Sequence, residues 1–371
     1  MRPRRSDSST RVTYLESLRG IAALTVVLGH TLGASRLEGT PADIVLMAIH
    51  SPLACFINGR GAVIFFFTLS GYVLTLRALE TNDMGAILHG AVKRWPRLAG
   101  PVLASTILSC LLWAGGCFFH TQASNLTGSD WLAHFAYGSL DLGNPPDMGL
   151  AAAIAQGAFT TFRNGTATFN ASLWTMHYEL IGSFAVFLTA ALLIATRSRV
   201  AKAALFLSVF GFFAYRNILY VPFGVGLCLA VLRVGGWSAP RPRLAIPMVI
   251  GGLYAFGYQI GGTSYAWLPA YEPTSDAMTL AFSLASAAVL LGVGGWPSAR
   301  AWLNHRVFQT IGSMSFHIYV VHLLVLMSAG CAAFVYIQPL WGFNAASAAL
   351  IGVTWSGTAI VAGLLRAMDQ Y

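Results

Sequence analysis

Long apolar runs, each broken by a short polar or basic stretch, repeat along almost the whole chain. They fall near residues 18–35, 61–79, 97–119, 174–195, 201–214, 217–234, 244–260, 277–295, 312–332 and 344–366. A helix needs about 20 apolar residues to cross a bilayer, and in a bilayer only helices or closed barrels satisfy their own backbone groups. The pattern therefore predicts an all-α, polytopic membrane protein with about ten transmembrane helices. The 201–214 run is short, and its alternative is to join 217–234 as a broken pair.

Composition supports that reading and charge gives it a direction. The chain is 56% hydrophobic and 9% charged, against the roughly 25% charge of soluble domains. With both termini inside, 18 of the 22 Lys and Arg fall on inner segments, and only Arg36, Arg60, Arg163 and Arg216 lie outside. Inner loops are expected to hold such an excess, so the orientation is N-in and C-in. The net charge of +9 then describes a surface facing anionic lipid, and no nucleic acid is needed to explain it. A bacterial inner membrane and a eukaryotic cell or internal membrane both suit such a chain.

Residues 1–13 are polar and basic, a flexible tail on the inner side, and 14–371 form one transmembrane domain. A basic start before an apolar run resembles a secretory leader, yet Gly33-Ala34-Ser35 is a poor cleavage site and cleavage would remove Arg19 and His30. Cys55, Cys110, Cys117, Cys228 and Cys331 include no CxxC pair and read as small hydrophobes. Residues 120–172, the longest non-spanning stretch, are expected to face outward. They carry sequons at Asn125, Asn164 and Asn170. Asp130, Trp131, Asp141 and Asp147 there either contact a polar acceptor or merely solvate a loop.

Five places carry candidate chemistry. Arg19 and His30 lie on one apolar helix; at 100° per residue they are about 20° from the same face and roughly 16 Å apart. An ionisable group in a membrane span is costly and points to function. Ser70-Gly71-Tyr72 ends an aromatic run, where small residues let helices approach. Arg94 and Arg97, three apart beside Pro96 at a helix start, share a face and bind either lipid phosphates or the phosphates of a ligand. Trp174 to Glu179 form the densest polar cluster at membrane depth, and the depth of Glu179 matches that of His30. A carboxylate there takes a proton or a partner, as acid or as structural ion pair. Ser315, Tyr319 and His322 line one helix face, either packed or facing a cavity. No GxxxxGK[ST], no HExxH and no metal-ligand cluster occurs, which disfavours nucleotide hydrolysis and zinc chemistry.

Taken together, Tyr14 to His30 with its Arg-x10-His spacing, FFFTLSGY at Phe65 to Tyr72, RWPRLAGP at Arg94 to Pro101, SLWTMHYE at Ser172 to Glu179 and SFHIYVVH at Ser315 to His322 resemble the acyltransferase-3 family. These are integral membrane enzymes that O-acylate carbohydrates and other acceptors. The resemblance implies about ten helices, an acyl donor such as acetyl-CoA, no permanently bound cofactor, an acceptor hydroxyl, and Arg19 with His30 as the signature pair. His177 departs from the pattern, and its role is open.

On this reading acyl-CoA phosphates rest on Arg94, Arg97 and Arg19, and His30 acts as general base or as acyl-carrying nucleophile. Glu179 is expected to orient the imidazole, with Trp174 or Ser70 donating to the oxyanion. Tyr72, Tyr319 and His322 complete the substrate-binding set. The alternative is a proton-coupled secondary transporter using His30, Glu179, His322 and Arg19 as a relay, although the inverted repeats common in such folds are not evident.

Overall fold

A computed structural model describes residues 13–34, 51–133, 148–259 and 262–369. The tail before Thr13, and Arg36, Asp141 and Asp147, lie outside the described residues. Among the described residues all regular structure is helical.

Helix α1 (Thr13–Ala34) is followed by α2 (Gly59–Thr81), capped at its start by Asn58, whose side chain accepts from Gly61 N. Helix α3 (Met84–Ala114) begins ten residues before the arginine pair, because Asp83 caps it by accepting from Ala86 N at 3.1 Å. Pro96 is therefore inside this helix, as is Pro101, and not at a helix start as its apolar boundary suggested. Each proline leaves one carbonyl a turn earlier without its helical donor.

The connection after α3 does not simply face outward. It contains α4 (His120–Thr127), α5 (Asp130–Ala133), α6 (Leu150–Ala155), a π turn at Gln156–Thr160 and α7 (Thr161–Asn164). Hydroxyls and a thiol of α3 bind its backbone along the way: Cys110 Sγ to Met148 O at 3.3 Å, Thr106 Oγ1 to Ala153 O at 2.9 Å and Ser109 Oγ to Phe169 O at 2.5 Å. Irregular backbone among apolar helices persists where protein groups satisfy it in this way.

Helix α8 (Thr175–Ala195) follows, then the shorter α9 (Arg199–Arg216), α10 (Val221–Val234) and α11 (Pro242–Phe256). Next come α12 (Asp276–Gly295), the seven-residue α13 (Pro297–Leu303), α14 (Arg306–Val325), a π turn at Leu326–Gly330, and α15 (Cys331–Asp369). Among the described residues six helical stretches are long and apolar enough to cross a bilayer, and Ile218–Val234 and Pro242–Phe256 are shorter apolar helices. Counted by length and composition, these stretches do not confirm the ten read from hydropathy. The last stretch, Arg306–Asp369, holds 64 residues and folds back at Gly342, whose φ of 78° suits a residue without a Cβ.

Helices α1 and α14 position the site. They run parallel, with Thr13 donating to Asn304 Oδ1 at 2.7 Å near their starts and His30 meeting His322 near their ends. Between these points Gly20 lies on Gly312 so closely that a Cβ at Gly20 would stand 2.7 Å from Gly312 N. The expected close approach at Gly71 is made against the backbone of Phe223 in α10.

Candidate active site

Two groups of polar side chains are built on α1, separated along its axis. The first gathers around Glu179. Arg94 Nη2 donates to Glu179 Oε1, Arg94 Nε donates to Ser183 Oγ at 2.9 Å, and Ser70 Oγ donates to the same carboxylate oxygen at 2.6 Å. With the two side chains 18% and 11% exposed, this ion pair is largely out of water. The charged groups around Arg19 are Arg94, Glu179, Glu16 and Arg97. Three guanidinium groups from two helices thus meet two carboxylates, leaving a cationic excess, and Arg97 is exposed at its edge.

The second group is a pair of imidazoles. His30 Nδ1 and His322 Nε2 are 2.8 Å apart, and His322 Nδ1 is 2.8 Å from Tyr319 O. A carbonyl only accepts, so His322 Nδ1 carries the hydrogen. In the neutral ring its Nε2 is then bare and accepts from His30 Nδ1. By this assignment the lone pair of His30 is at Nε2. The rings are 7° from coplanar with centroids 5.1 Å apart; at that N–N distance they meet edge to edge rather than face to face. His322 is 1% exposed, whereas His30 is only half-buried.

Backbone carbonyls just before His322 are held by the segment that leads into α8. Asn170 Nδ2 donates to Val320 O at 2.7 Å and to Ser105 Oγ at 2.8 Å, and Ser105 Oγ donates to Val320 O at 2.7 Å. The Tyr319 hydroxyl donates to Ser172 O at 3.0 Å and lies 2.9 Å from Thr175 Oγ1. Its ring meets Phe66 edge-on.

The predicted residues divide accordingly. Arg19, Arg94, Arg97, Glu179 and Ser70 form the charged group, and His30, His322 and Tyr319 form the imidazole group. The partner of the His30 ring is His322 and not Glu179. The Ser70 hydroxyl donates to Glu179, in the group that Arg19 joins, and not toward His30. Tyr72, two residues on, faces the other way and lines a small pocket with Tyr14, Leu229, Arg233 and Trp237. Trp174 packs edge-on against Tyr178. His177 ties α8 to its neighbours, with Nδ1 at 2.8 Å from Phe162 O and Nε2 at 3.3 Å from the Tyr220 hydroxyl.

Asn170 and Ser105 were missed as site residues. Asn170 entered the sequence reading only as a sequon, but it is 0% exposed and its amide nitrogen is occupied, which leaves no room for a glycan. Among the described residues no group of three or more His, Cys, Asp and Glu could hold a metal, and all five cysteines are free thiols.

Apolar spanning helices around a polar interior define a multi-pass integral membrane protein. The family described as the acyltransferase domain, acyltransferase-3, matches residues 12–363, and the chain belongs to it. It is a membrane acyltransferase, in contact with lipid and with an acyl donor. No curated protein and no solved structure matches the chain.

Proposed function

We propose that the protein moves an acyl group, in the first instance acetyl, from acyl-CoA to a hydroxyl of a carbohydrate acceptor. The observation that carries this reading is the spacing of the two groups on α1. The guanidinium groups of Arg19, Arg94 and Arg97 suit phosphates, which arginine engages in forked hydrogen bonds. The imidazole of His30 lies about 16 Å further along the same helix. A donor with phosphates at one end and a thioester at the end of a long flexible arm suits that separation.

In this mechanism the CoA phosphates rest on Arg94, Arg97 and Arg19 from the inner side, with Glu179 and Ser70 holding Arg94 in place. His30 Nε2 takes the proton of the acceptor hydroxyl as its oxygen attacks the thioester carbon. The tetrahedral intermediate collapses with cleavage of the carbon–sulfur bond, and the proton passes from His30 to the departing thiolate, giving ester and free CoA. Hydrogen bonding from His30 Nδ1 to His322 Nε2 keeps the reactive lone pair at Nε2.

The test uses full-length protein in membranes with labelled acetyl-CoA. His30→Ala and His30→Gln are expected to abolish acceptor labelling and CoA release; full transfer by either variant removes His30 from the chemistry.

A further inference from the structure

The imidazole group has a third member that the mechanism above does not use. Trp131 of the four-residue helix α5 sets its ring 5.6 Å from that of His30, tilted by 32°. The indole is 39% exposed, whereas its neighbour Leu132 is 0% exposed. Leu132 is locked into a cluster with Ala34, Ala171, Leu323 and Leu324, and its N–H donates to Ser129 O at 3.1 Å. A short helix is therefore anchored by Leu132 so that the residue before it, a large flat ring, stays part-exposed beside the His30 ring.

Its surroundings narrow the kind of ligand. The adjoining helix α4 exposes Thr121, Gln122 and Asn125 beside a single large apolar side chain, Leu126, so hydrogen-bonding groups predominate on the exposed side of the helix that precedes the indole. A part-exposed indole face next to an imidazole and following a polar helix matches a pyranose, which offers an apolar C–H face and a rim of hydroxyls.

We propose that Trp131 is the platform on which the acceptor's sugar ring stacks, bringing a hydroxyl of that ring to His30 Nε2. This rests on the acyltransferase reading and adds to it the residue that selects the acceptor. Loss of a flat aromatic contact is worth about tenfold in binding. The consequence falls on the acceptor and not on the donor.

The experiment compares full-length wild type, Trp131→Ala and Trp131→Phe in detergent, with acetyl-CoA as donor. Methyl hexopyranosides serve as ring acceptors, glycerol as a ringless one, and benzyl alcohol and 1-octanol as apolar ones. Trp131→Ala is expected to raise the pyranoside KM about tenfold, with the acetyl-CoA KM and the glycerol KM little changed. Trp131→Phe is expected to recover most of the loss. The proposal is overturned if the pyranoside KM does not move, if the glycerol KM rises equally, or if wild type acylates the apolar alcohols and no pyranoside. Failure of wild type to consume acetyl-CoA with any acceptor overturns the proposed acetyl-transfer reaction on which this inference rests.

Discussion

His30 and His322 share one hydrogen, donated from Nδ1 of the first to Nε2 of the second across 2.8 Å, and the carbonyl of Tyr319 fixes its direction. In the proposed mechanism His322 acts on the reaction through His30, as a positioning residue. Replacing His322 with Ala frees the His30 ring to turn and to change tautomer. The expected result is a fall in kcat of about a hundredfold with the acetyl-CoA KM little changed. His322→Asn, whose side-chain oxygen can accept from His30 Nδ1, is expected to recover part of the rate. Equal losses in both variants would assign His322 a packing role only.

Arg94 and Glu179 form a different sort of pair, one whose removal tests stability. Glu179→Ala leaves a largely buried guanidinium facing Ser183 and Ser70 without its counter-charge. Removing one partner of such a pair costs about 3–5 kcal/mol, so the variant is expected to melt well below wild type in the same detergent. Glu179→Gln, which keeps a hydrogen-bond acceptor, is expected to fall between. Thermal unfolding followed by size exclusion reads the order.

Arg97 is exposed and takes no part in that ion pair, so donor binding can be tested on it without unfolding the helix. A charged hydrogen bond to phosphate is worth about 1.5–3 kcal/mol. Arg97→Ala is accordingly expected to raise the acetyl-CoA KM at least about tenfold with little change in melting temperature. Adenosine 3′,5′-bisphosphate, which carries phosphate groups and no thioester, is expected to inhibit wild type and to lose potency against the variant. Unchanged donor dependence would leave Arg97 as a lipid contact.

Much of the charged group could be read from the chain alone. Arg19 lies on the face of α1 that also carries His30, and Arg94 and Arg97 lie one turn apart on α3, so periodicity alone put the cations on identifiable faces. The partner of Glu179 could not be read in that way. Its depth was counted from the start of α8 on the assumption that the helix begins at the membrane surface. In fact the preceding connection packs along α3, through Ser109 and Thr106, and carries the start of α8 inward with it. The same packing turned Asn170 from a loop sequon into a buried amide. Hydropathy also divided the chain between 332 and 344 without revealing that a single positive-φ residue, Gly342, folds two helices there, and it set Pro96 at a helix boundary because Lys93, Arg94 and Arg97 interrupt the apolar run, although the exposed first turns of α3 carry Met84, Leu88 and Val92.

Asn170 gives a direct check on that inward connection. Its amide nitrogen donates to Val320 O and Ser105 Oγ, and its carbonyl oxygen accepts from Ser172 N at 3.1 Å and from Ser172 Oγ at 2.8 Å. Asn170→Ala leaves several buried groups unpaired, at about 1–3 kcal/mol for each uncompensated one. The variant is expected to lower both melting temperature and kcat, since Val320 O precedes His322 by two residues. Expressed in a glycosylating host, wild type is expected to show no endoglycosidase-sensitive mass at Asn170 by peptide mapping; a glycan there would contradict the buried placement.

His120 makes stability sensitive to acid from outside the spanning helices. It begins α4, an eight-residue helix, and burial pushes its pKa from 6.5 down to about 4. The unfolded chain therefore binds a proton below about pH 6.5, while the folded one stays neutral until about pH 4. Stability is complete above the unfolded pKa and falls as the pH drops through that window, by up to about 3 kcal/mol for this one group. Replacing His120 with Phe removes the titration while keeping a ring to meet Phe118, whose ring centroid is 5.9 Å away. The drop in melting temperature between pH 7 and pH 5 is expected to be smaller in His120→Phe than in wild type. An equal drop in both would show that His120 takes up its proton in the folded protein as readily as in the unfolded chain.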